Sequence, residues 1–126
     1  MSKQITLTMT ESQASAVSRA CEFFCRIYLG QFQEISYELL FNQPLDDKYC
    51  DRRDAADHYL FEARKFIYPE LHGIGHSYGV GKFEIADKAW NAYQVLRHAL
   101  GDDRKPYALF GETLPECSVK EEKSSD

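Results

Sequence analysis

Apolar residues along the chain fall into one short alternating segment followed by four segments of helical period. In residues 4–9, Ile5, Leu7 and Met9 alternate with Thr6 and Thr8, the two-residue period of a strand with one buried face. Thr10 and Gln13 then have the spacing of a capping box, in which threonine accepts from the Gln13 amide and glutamine reaches back. The first helix is predicted to open there. Its apolar positions form two adjacent lines, Ala14, Val17, Cys21, Phe24 and Tyr28 beside Ala16, Ala20, Phe23 and Ile27, which predicts a wide buried face. Gly30 stands at the terminator position.

Residues 31–42 are predicted as a second helix with Phe32, Ile35, Leu39 and Leu40 inward, and Pro44 prevents it from running much further. A third begins near Asp51 or Asp54, turns Ala56, Tyr59, Leu60, Ala63, Phe66 and Ile67 inward, and closes at Pro69. The fourth covers about residues 85–100, with Ile85, Ala89, Ala92, Leu96 and Ala99 as its core stripe and Gly101 at the stop. Residues 107–110, after Pro106, read as a second strand whose partner is the first. The expected fold is therefore α+β: a mainly helical, four-helix domain with a small two-stranded sheet formed by the N-terminal and C-terminal segments and covered by helices on one side. A single globular domain of residues 1–115 precedes a flexible polar tail of residues 116–126, ECSVKEEKSSD, which has too little apolar content to pack.

Composition supports one core of ordinary size: 126 residues, 44% hydrophobic and 28% charged. The net charge of −5 argues against duplex DNA or an anionic membrane as partner, since both need clustered lysine and arginine. No apolar run of about 18 residues and no secretory leader pattern is present, so a soluble, cytoplasmic protein is expected. Cys21, Cys25, Cys50 and Cys117 form no CxxC pair and are expected to be free thiols. The broad apolar faces of helix one or helix four are expected to make the protein a homo-oligomer.

Candidate chemistry concentrates in residues 72–98. Gly73, Gly75, Gly79 and Gly81 crowd one loop, and such density points to positive φ or to close approach of backbone to something else. No Walker or dinucleotide fingerprint is matched, because no GK[ST] occurs and the loop follows a helix rather than a strand. The loop leads into the amino end of helix four and can present backbone amides to an anion there; the plainer reading is a long surface connection. Trp90, Tyr93 and Arg97 share one stripe of helix four, where rings can stack a base and a guanidinium can grip phosphate, or where the stripe simply makes a second buried contact. The expected ligand-binding set is Gly75, His76, Ser77, Tyr78, Gly79, Lys82, Trp90, Tyr93 and Arg97. His72 and His76 lie in a loop that fixes no ligand geometry, so neither metal nor cofactor is expected. Ser77 lacks a G-x-S-x-G elbow and the thiols lack a histidine partner, so no catalytic residue and no enzyme activity are expected.

The segments GQF (residues 30–32), SYGVG (77–81) and YQVLRH (93–98), in this order behind a strand-then-helix opening, resemble a family of small phage and prophage proteins over roughly residues 4–110. Position 80 is valine where that family leads one to expect isoleucine. The resemblance implies a small phage-encoded domain, similar in size and build to anti-defence sponges that sequester the nucleotide signals of bacterial immunity. Non-catalytic sequestration of a small nucleotide-like ligand is the expected function. The alternative is an acidic decoy that docks on and inhibits a host defence protein.

Overall fold

The computed structural model of the protein describes residues 3–102 and 116–122. In chain order the elements are α1 (Glu11–Tyr28), α2 (Glu34–Leu40), α3 (Tyr49–Ile67) and α4 (Glu84–Ala99). The fold is all-α among the described residues, which corrects the α+β expectation. Residues 4–9 have no regular structure and join no sheet among the described residues, and Ile5 and Leu7 are 78% and 74% exposed. A two-residue period marks a strand only when a partner takes up its backbone groups, and no described segment does so. The proposed second strand, residues 107–110, lies outside the described residues. No helix among the described residues is long and apolar enough to cross a membrane.

The chain divides into two units, one of Met1–Glu22 with Lys88–Asp126 and one of Phe23–Asp87. In the first unit, the capping box forms as the spacing requires: Thr10 N donates to Gln13 Oε1 and Gln13 N to Thr10 Oγ1, both at 3.1 Å. The buried line of α1 is turned from the predicted one. It passes through Ser18 here and Cys25 in the other unit, while Val17 and Phe24 stay partly exposed. On α4 the predicted stripe is similarly displaced, with Ile85 exposed and the polar residues Asn91, Gln94 and Arg97 buried beside Val95. Gly101 closes α4 at positive φ, with its N–H donating to His98 O and the Asp102 N–H to Arg97 O. At Glu116, where the polar tail was expected to begin, the backbone N–H donates to Asn91 Oδ1 at 2.9 Å and the carboxylate lies 3.5 Å from Lys88 Nζ. Residues 116–122 are otherwise exposed and without regular structure.

The Phe23–Asp87 unit is built around the carboxyl end of α1. Gly30 takes φ +95°, its N–H donates to Ile27 O and the Gln31 N–H to Arg26 O, which completes a Schellman turn. The next carbonyls are taken by distant donors. Tyr68 Oη donates to Tyr28 O at 2.8 Å, Tyr78 N to Leu29 O at 2.8 Å, and Arg64 Nη1 to Gly30 O at 3.3 Å. Around this junction the rings of Phe24, Tyr28, Phe32, Tyr68, Tyr78 and Phe83 form a chain of contacts with centroids 5.0–6.1 Å apart.

Because the Schellman turn abuts the next segment, residues 31–35 close as i to i+3 turns, and α2 is shorter than predicted. It packs on α3, where Ser36 Oγ donates to Asp57 and the Arg52 guanidinium to Gln43. α3 starts earlier than predicted, since Asp46 Oδ1 accepts from Lys48 N and Asp46 O from Tyr49 N just ahead of it. Its inward face is Leu60, Phe61 and Arg64 rather than the all-apolar one predicted. Tyr59, Ala63, Phe66 and Ile67 face solvent.

All four cysteines are free: Cys25 is buried, Cys21 half-buried, and Cys50 and Cys117 exposed. Burial raises the Cys21 thiol above its ordinary pKa; burial first, then the neighbouring Cys21 and Glu116, raise that of Cys117. Less thiolate means slower alkylation. A thiol count under denaturing, non-reducing conditions should therefore find four. In the native protein Cys50 should label first and Cys25 last, at least about tenfold apart, because Cys25 reacts only through local opening. Two thiols in the denatured count, or equal rates in the native one, would contradict this.

Candidate functional site

The sequence-predicted residues fall in two places. Gly75, His76, Ser77, Tyr78, Gly79 and Lys82 belong to the Phe23–Asp87 unit, and Trp90, Tyr93 and Arg97 to the other.

The glycine loop is held from below by Arg64, a residue that periodicity alone passes over. This side chain is 2% exposed, and its guanidinium donates to the carbonyls of Gly30, His76 (2.6 Å) and Gly73, with Phe61 beneath it at 5.1 Å. Three carbonyl dipoles thus stabilise a buried positive charge. Further ties are His72 N to His76 Nδ1 at 3.1 Å and Gly81 N to Asp87 Oδ1 at 2.9 Å. Tyr78 lies in the ring cluster and Lys82 Nζ sits 5.1 Å over its face. Only Gly73 and Gly81 of the four loop glycines take positive φ, and a Cβ at Gly75 or Gly79 meets nothing within 4 Å. Among the described residues, none approaches the backbone closely at those two glycines. Burial, and then Tyr28 and Glu70, raise the Tyr68 hydroxyl above its ordinary pKa, so it stays a donor to Tyr28 O.

The stripe on α4 is physically continuous. Trp90 and Tyr93 have ring centroids 5.0 Å apart, and the Arg97 guanidinium stands 5.0 Å from the Tyr93 ring centroid and donates from Nη1 to Tyr93 Oη at 3.4 Å. Arg97 is 8% exposed. Its Nε lies 3.8 Å from Asp102 Oδ2, close enough for attraction but too far for a hydrogen bond, and neither Nε nor Nη2 has a hydrogen-bond partner among the described residues. The Schellman turn at Gly101 sets Asp102 beside it, and His98 Nδ1 contacts Asp102 O at 2.9 Å. Arg97 and Tyr93 line an open cleft of about 410 Å³ together with Ser15, Ser18, Arg19 and Glu22 of α1. No family model, curated protein or solved structure matches the chain.

Ser15 and Ser18 escaped sequence reasoning because they interrupt the apolar lines of α1. The signal that finds them is a small polar residue, Ser18, at a buried helical position. The cleft joins hydroxyl, guanidinium and ring in one place. Such an arrangement can hold an anion and stack a planar group.

Proposed function

We propose that the protein binds, without converting it, a small phosphate-bearing ligand of the nucleotide class, and that the Arg97 cleft receives it. One observation carries the reading: a buried guanidinium in the wall of a cleft, with two nitrogens that have no hydrogen-bond partner among the described residues. Buried donors in folded proteins are nearly always satisfied, and phosphate oxygens match a guanidinium edge bidentately. Asp102 Oδ2, 3.8 Å from Nε, partly neutralises the charge. The Tyr93 ring offers a face to a base, and Ser15 and Ser18 offer hydroxyls. The volume lies within the usual range for small-molecule sites. Sequestration of a nucleotide signal by a phage-encoded sponge is the biological use this reading favours.

Calorimetric titration with cyclic dinucleotides, cyclic trinucleotides and cyclic ADP-ribose isomers tests it. Arg97→Ala should weaken binding about ten- to a hundredfold, the worth of a charge-assisted hydrogen bond. That change also perturbs a buried residue, so Ser15→Phe serves as a second variant: it fills the cleft from an exposed position and should abolish binding while leaving the melting temperature unchanged. Lys88→Ala, off the cleft on the same helix, should bind as the parent does. No heat from any ligand would reject the proposal. The reading to replace it is docking on a host protein, which draws on the outward rings of Tyr37 on α2 and Phe41 just after it, 6.1 Å apart.

A further inference from the structure

The cleft at Arg97 does not end at Ser15. A second cleft of about 600 Å³, lined by Glu11, Ser12, Ser15 and Leu100, shares Ser15 and Leu100 with it. The two clefts therefore form one trough, and all of its residues belong to the same unit of the chain. Its α1 wall follows from the sequence. Ser12, Ser15 and Ser18 recur every three residues, and Arg19 and Glu22 follow at seven and ten residues from Ser12. At about 100° per residue these five and Glu11 fall within about a third of the helix circumference. Between Glu11 and Glu22 that sector of α1 carries no apolar residue.

The two ends of the trough differ in chemistry. At one end stands Arg97, 8% exposed, whose Nε and Nη2 have no hydrogen-bond partner among the described residues. At the other, Glu11 adds negative charge, and the Gln13 N–H at the helix start is already taken by Thr10 Oγ1. That end suits hydroxyl and amine donors rather than a second phosphate, and a carboxylate is an established partner for ribose hydroxyls. At 1.5 Å per residue, Ser12 to Ser18 covers about 9 Å of helix and Glu11 to Glu22 about 16 Å. A single nucleotide with its phosphate at Arg97 leaves the Ser12 end unfilled, whereas a following nucleoside reaches it. We propose that the trough takes a dinucleotide, with its linking phosphate at Arg97 and its second nucleoside laid along Ser15 and Ser12, sugar hydroxyls toward Glu11. This inference rests on the reading of Arg97 as the phosphate-binding group and adds the size and polarity of the ligand.

The probes are linear ribodinucleotides of each base, joined by one phosphodiester, and the methyl esters of the matching nucleoside 3′-monophosphates. The esters keep the singly charged phosphodiester and lack only the second nucleoside. In calorimetric titration of the full chain, the dinucleotide should bind at least about tenfold more tightly, since each hydrogen bond gained contributes roughly a two- to tenfold factor. Ser12→Phe, at an exposed position outside the Arg97 cleft, should remove that advantage and change the affinity for the ester by less than about twofold. Retained ester binding also reports that the variant is folded. Arg97→Ala should weaken both ligands. Equal affinities for dinucleotide and ester, both lost in Arg97→Ala, would overturn this inference and leave the phosphate reading standing. A Ser12→Phe variant that weakens both ligands alike, or neither, would overturn it as well. No heat from any dinucleotide or ester would reject the phosphate reading, and this inference with it.

Discussion

Arg64→Met is expected to lower stability by about 2–4 kcal/mol and to release the glycine loop. Methionine keeps the unbranched apolar stem of the side chain as far as the position of Nε and so mainly removes the guanidinium. Buried charges are often replaceable by apolar groups when their partners leave with them. Here the partners are the backbone carbonyls of Gly30, Gly73 and His76, and they remain. Each carbonyl that stays buried without a donor costs about 1–3 kcal/mol, and those in the loop recover part of this by turning to water. Arg64→Lys should be intermediate, because one ammonium cannot reproduce the planar fork. Urea denaturation gives the stability, and amide exchange gives the location. The Tyr78 N–H, which donates to Leu29 O, should lose protection first. A loss below about 1 kcal/mol would mean that the clamp is replaceable by water.

Gly30→Ala is expected to cost about 2–4 kcal/mol, and two separate causes add. At φ +95° an L-residue is strained by roughly 1–2 kcal/mol. The new Cβ would also stand 2.6 Å from Leu71 Cδ1, and Leu71 is buried, so it has little room to retreat. Gly75→Ala and Gly79→Ala provide the contrast. Neither has positive φ nor a neighbour within 4 Å, so each should be neutral or stabilising by up to about 1 kcal/mol through the unfolded chain. Denaturant midpoints for the three variants measure both effects, and a Gly30→Ala midpoint equal to the parent's would remove Gly30 from its place at the junction.

Local signals read correctly where the chemistry is local. Thr10 with Gln13, Gly30, Pro69 and Gly101 mark helix ends because caps and stops depend on residues within one turn. Which way a helix faces depends on partners far along the chain. Hydrophobicity turned Phe66 and Ile67 inward on α3, whereas the inward position belongs to Arg64, which satisfies a carbonyl 34 residues away. Periodicity gives an arginine no credit for a distant carbonyl. The stretch of residues 4–9 failed in a related way, since alternation describes a strand's faces and says nothing of its hydrogen-bonding neighbour. Tyr93 and Arg97, which line the cleft, stand out in the sequence with Trp90 because the i, i+3, i+7 spacing puts all three on one stripe of the fourth helix. Ser15 and Ser18 do not stand out, because only their place on the cleft wall sets them apart and no local pattern encodes it.

The carboxyl end of α1 bears on the order in which the Phe23–Asp87 unit assembles. Its last carbonyls, those of Tyr28, Leu29 and Gly30, wait for Tyr68, Tyr78 and Arg64, and the closing segments are tens of residues long. The entropy of closing such loops is lost before any of these bonds rewards it. In the transition state for folding, the first turns of α1, capped locally by Thr10 and Gln13, can already be wound while its final turn is still frayed. Substitutions at the junction should therefore act on the unfolding rate and leave the folding rate nearly unchanged.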